Sequence, residues 1–99
     1  MARFSLTEHA VMRFLQRKKK KLNKDKEKDD HFDSYIALKL EAEQSLLIYV
    51  SADHQTLYYE LPHHPGLYFV VRKMGMVCVT IKPLTHFETL NLDRPTNNY

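Results

Sequence analysis

His9, Arg13 and Arg17 recur at i, i+4 and i+8, with Lys20 at i+11, so a helix carrying them shows one cationic stripe. A histidine exchanges protons near neutral pH, and an arginine grips phosphate oxygens through a planar fork. Together they suit chemistry on a phosphodiester, although any exposed helix face needs polar residues of this kind. A second group comes from strand-like segments: Tyr58, Tyr68, Arg72, Thr80 and Lys82. Cations meet phosphates and flat rings stack on unpaired bases, so this mixture suits RNA. An ordinary solvated antiparallel face uses the same residue types. The third group is the histidines His31, His54, His63, His64 and His86. With one Cys, no C-x-x-C and no H-E-x-x-H, they do not make a recognisable ligand set. His63 and His64 are neighbours in a loop between two prolines, a poor arrangement for two ligands of one ion. No metal and no cofactor are expected. No phosphate-cradling loop, dinucleotide fingerprint or nucleophile elbow is present.

These residues need elements to hold them. Ser5 and Glu8 have the spacing of a capping box, so helix 1 is expected to start at Ser5. Leu6, Ala10, Val11, Phe14 and Leu15 would form its buried side. The Lys-rich segment 18–28 cannot bury a face and reads as a solvated extension or loop. Asp29 or Asp30 would cap helix 2, with Phe32, Tyr35, Ile36, Leu40, Ala42, Leu46 and Leu47 on its apolar side. Leu47 to Val50 is β-prone, and Ser51-Ala52-Asp53 reads as a turn. Three strands follow, at Thr56–Leu61, Leu67–Arg72 and Met76–Lys82. A three-residue hairpin loop with Gly75 left-handed would pair Arg72 with Met76. That register puts Leu67, Phe69, Val71, Val77, Val79 and Ile81 on one face. Leu57, Tyr59 and Leu61 join them by parity, and the second group of chemical residues takes the opposite face. The expected fold is therefore α+β, with two N-terminal helices on one face of a three- to four-stranded antiparallel sheet. It would span residues 1–90 as a single domain, with a polar tail at 91–99.

Composition sets limits. Ninety-nine residues with 43% hydrophobic content suffice for one core. The net charge of +3 hides a division: residues 1–28 carry +7 and residues 29–99 carry −4. Such segregation points to a polyanionic partner or an acidic protein surface, or to a solubilising lysine run. A single cysteine excludes an internal disulfide and fits the cytoplasm. No apolar run approaches the ~20 residues of a membrane span, so no membrane is expected as a partner, and no secretory signal is visible.

The run Leu6-Thr7-Glu8-His9-Ala10-Val11-Met12-Arg13-Phe14-Leu15-Gln16-Arg17 resembles the first helix of the RelE/ParE/BrnT-like toxin ribonucleases, a group that includes phage RegB-like endoribonucleases. Gly66–Arg72 followed by Met76–Ile81 resembles their closing hairpin. Segment 18–28 departs from their pattern. The resemblance implies a RelE-like fold and a metal-independent endoribonuclease. In such an enzyme a 2′-hydroxyl attacks the adjacent phosphate, one group removes its proton and another protonates the leaving oxygen. His9 would do the acid/base work, with Tyr58 or Tyr68 as an alternative donor. Arg13, Arg17, Arg72 and Lys82 would grip phosphate and Thr80 would position it. Lys18, Lys19, Lys20 and Lys21 would add salt-dependent affinity. The partner would be RNA, ribosome-associated mRNA included, with an acidic antitoxin or a host protein as regulator. The alternative is a non-enzymatic phage or bacterial protein that binds and inhibits a host protein or nucleic acid, acting in the host cytoplasm if phage-encoded. An enzyme requires His9, Arg13, Arg72 and Thr80 to converge on one cleft; a binder leaves them spread over a broad surface.

Overall fold

The computed structural model describes residues 4–18 and 27–95. Lys19, Lys20 and Lys21 lie outside the described residues, as do the side chains of Arg17, Lys18, Asp29, Asp30, His31 and Phe32. The chain opens with a short strand β1 (Ser5–Leu6), then α1 (Glu8–Lys18) and α2 (Glu27–Gln44). Strands β2 (Leu46–Ser51), β3 (Thr56–Glu60), β4 (Leu67–Arg72) and β5 (Val77–Pro83) follow, then α3 (His86–Leu90) and β6 (Leu92–Asp93). They form one mixed sheet in the order β1-β5-β4-β3-β2-β6, curled into a half-barrel.

This corrects the expected RelE-like arrangement of two helices on a three- to four-stranded antiparallel sheet. Among the described residues there are six strands. β1 joins parallel to β5, pairing Ser5 with Val77 and Leu6 with Cys78. β6 closes the other edge antiparallel to β2. The backbone N–H groups of Ser5 and Thr7 donate to the carbonyls of Met76 and Cys78, so residue 5 is committed to the sheet and cannot cap a helix. Thr7 does so instead: its Oγ1 accepts from the Ala10 N–H at 3.1 Å. α1 packs on the sheet through Ala10, Val11, Phe14 and Leu15. α2 packs chiefly against α1. Among its described side chains Leu38 and Ala42 are sealed, whereas Tyr35, Ile36 and Leu40 stay exposed.

The inner sheet face holds the core. Leu57, Tyr59, Leu61, Phe69, Val71, Cys78 and Ile81 are buried there, and the Phe4 ring lies about 5 Å from those of Tyr59 and Phe69. The β4–β5 loop has four residues, not three, because Met76 as well as Gly75 takes positive φ. Arg72 therefore pairs with Val77, and Cys78 points inward opposite Val71. Val79 is an unpaired bulge, after which Thr80 pairs with Val70 and Ile81 with Phe69. Val77 and Val79, expected in the core, are only half-buried.

Candidate nucleic-acid interface

A second bulge, at Ile48 of β2, brings Tyr49 opposite Tyr58 while Leu47 and Val50 stay inward. The outer face can then be read row by row. Tyr49, Tyr58, Val70 and Thr80 form one row across β2, β3, β4 and β5. Glu60, Tyr68 and Lys82 form the row on one side, and Thr56, Arg72 and Val77 the row on the other. Strands lie about 4.8 Å apart, so the central row spans roughly three such steps. The rings of Tyr49 and Tyr68 approach to 5.9 Å between centroids. Burial, and then the nearby Glu60 charge, push the Tyr68 phenol above its usual range.

The chain after β5 crosses this face. Pro83 sits at the Leu67 end of the sheet, whereas β6 pairs with Val50 and Ser51 at the opposite end and the far edge. Two polar contacts mark the route. Glu88 of α3 accepts from the Lys82 ammonium at 2.8 Å, and this bond holds its carboxyl below the usual range. The Arg94 guanidinium lies 5.0 Å above the Tyr49 ring. α3 itself buries no residue; a capping box between Thr85 and Glu88 defines it. Val70, on this outer side, is 8% exposed, so the face is partly covered rather than open.

Of the residues singled out from sequence, Tyr58, Tyr68, Arg72, Thr80 and Lys82 share the outer face. Tyr58 and Arg72 have no side-chain partner among the described residues, and Arg72 is exposed. His9 and Arg13 lie on the exposed side of α1, which packs on the inner face; Arg13 donates to Gln16 at 3.4 Å. The sheet stands between the two sets. Tyr49, Glu88 and Arg94 were not anticipated. Thr85-x-x-Glu88 is a legible capping signal, but Tyr49 is visible only once the Ile48 bulge is known.

A separate polar cluster sits where α1 and α2 meet the β3–β4 loop. Glu41 is 6% exposed, and its Oε2 lies 3.1 Å from His63 Nδ1. Among the described residues no group of histidine, cysteine and carboxylate side chains has the geometry to hold a metal ion. No protein-family model, no curated protein and no solved structure matches the chain.

Proposed function

We propose that the protein binds single-stranded RNA across the outer sheet face and does not cleave it. The observation that carries this reading is the row Tyr49–Tyr58–Val70–Thr80 flanked by Arg72, Lys82 and Arg94. Rings on adjacent strands can stack on successive bases while cations at the margins meet the phosphates. Cleavage would need His9 and Arg13 beside Arg72 and Thr80, and these lie on opposite sides of the sheet. The basic N-terminal residues supply long-range attraction for the same polyanion. No helix among the described residues is long and apolar enough to cross a membrane. The lone free thiol, Cys78, fits a reducing cytoplasm.

The test is fluorescence anisotropy with an oligouridylate of about eight nucleotides, in EDTA, at about 50 and 200 mM salt. Stacking on a ring is worth about 1–3 kcal/mol per base, so Tyr58→Ala should weaken binding by about fivefold to a hundredfold. Arg72→Ala should flatten the salt dependence by about one phosphate contact. The RNA should be recovered intact. Equal affinity of wild type and Tyr58→Ala would refute the reading, and cut RNA would restore an enzyme.

A further inference from the structure

A cleft of about 260 Å³ opens between α1, α2 and the β3–β4 loop. Phe14, Ala37 and Leu40 wall it, and Glu41, Gln44, His63 and His64 are its polar lining. The Glu41 side chain is 7% exposed. A carboxylate so deeply placed is ordinarily held by several hydrogen bonds. Here only Oε2 is held: it accepts from the His63 backbone N–H at 3.4 Å and faces His63 Nδ1 at 3.1 Å. Oε1 has no hydrogen-bond partner among the described residues. The His64 Nε2 that faces it is 3.8 Å away, beyond hydrogen-bonding range. A buried acceptor thus borders the cleft with its lone pairs unused.

We infer that the cleft binds an amino-bearing nucleobase, with an N–H of the base donating to Glu41 Oε1 and its ring lying against Phe14, Leu40 and His64. Three features select this class. A carboxylate only accepts, so it favours edges that donate, such as those of guanine or cytosine, over the carbonyl-flanked edge of uracil. Phe14 and His64 meet edge to face at 5.2 Å, giving an aromatic wall for a flat ring. Phe14, Ala37 and Leu40 line the cleft beside the carboxylate, an apolar wall that fits a neutral ring better than a strongly hydrated alkylammonium. The size agrees: drug-sized ligands fill about 300–1,000 Å³, so this cleft suits one ring system. The base can come from a free nucleotide or from an RNA strand. The inference does not depend on the outer-face reading, because the cleft lies on the helix side of the sheet.

The test is a titration of the full chain with guanosine, cytidine and uridine monophosphates, followed by amide and imidazole chemical shifts. Guanosine and cytidine should move the signals of Glu41, His63 and His64, with uridine at least about tenfold weaker. Glu41→Gln should weaken guanosine binding by a similar factor. If that variant does not fold, Ala37→Leu, which fills the cleft from its rim, should abolish the shifts. Tyr58→Ala should leave them unchanged. Equal response to uridine, the same shifts with n-butylamine, or none with any nucleotide would overturn the inference. To separate the sources, a guanosine-containing oligonucleotide is compared with oligouridylate. Binding that Ala37→Leu reduces to the oligouridylate level assigns the base to RNA; retention of free nucleotides alone assigns it to a nucleotide.

Discussion

The two faces of one sheet are built by different physics. On the inner face Phe69, Val71, Ile81, Leu61 and Cys78 are wholly removed from water, and their positions are fixed by packing. On the outer face Tyr49, Tyr58, Tyr68, Thr80 and Lys82 are half-buried, and α3 and β6 cross them through an ion pair and a cation over a ring. The same strands supply both, since alternate residues point to opposite sides. Packing makes the inner face costly to alter. On the proposed reading the outer face is the exchangeable one, since a phosphate would replace Glu88 on Lys82 and a base would replace Arg94 on Tyr49.

Truncation on each face breaks or keeps that contrast. Phe69→Ala removes a fully buried ring and should cost about 3–5 kcal/mol of unfolding free energy in urea. Tyr68→Ala, its neighbour on the outer side, should cost about 1 kcal/mol. Comparable losses would mean that the outer face is as much core as the inner one.

Alkaline titration sharpens the inner half. Burial pushes the Cys78 thiol from its ordinary 9.0 up to about 12. The folded state therefore keeps a proton that the unfolded chain releases above pH 9. The contribution is intact below that point and falls as pH rises through the folded value. By about pH 10.5 it should reduce stability by about 2 kcal/mol relative to neutral pH. Urea unfolding at both pH values should show this in wild type and not in Cys78→Ala, whatever that variant costs at neutral pH. Matching alkaline losses in the two proteins would show that the thiol is not sealed.

Alternation in Leu67–Arg72 and Thr56–Glu60 made those strands and their faces legible from sequence, because side-chain period two leaves little choice of register. Thr80 and Lys82 came to the outer face as expected, but through two deviations that cancel. Met76 lengthens the hairpin loop by one residue and inverts Val77 and Cys78; the Val79 bulge inverts the strand back. Neither leaves a mark in the apolar pattern. The edge strands β1 and β6 are two residues each, too short to show periodicity, and without them the mixed six-stranded sheet cannot be deduced. Ser5 looked like a helix cap because its competing bonds come from Met76, some seventy residues away. The Glu41–His63 contact was hidden for the same reason: the residues are 22 apart, and the burial that makes the carboxylate informative is a tertiary fact.

The smallest expected effect tests the outer half most directly. Glu88→Gln weakens the bond to Lys82 without removing the capping spacing of α3. Both partners of this ion pair are more than a third exposed, so it adds little to global stability and the urea midpoint should not move. Acid should mimic the change. The Glu88 carboxyl titrates below its ordinary 4.5, so the contact is intact above that value and lost as pH falls through the lower folded one. At neutral pH the Lys82–Glu88 contact is therefore intact in wild type, and oligouridylate affinity should rise about two- to fivefold in Glu88→Gln as Lys82 becomes free for phosphate. Removing any negative charge favours a polyanion, so Glu8→Gln at the exposed start of α1 supplies the comparison. A larger gain at Glu88 than at Glu8 means that α3 competes with RNA for the face it crosses. Equal gains mean that only net charge matters, and that the crossing segment is a fixed part of the fold rather than an exchangeable partner.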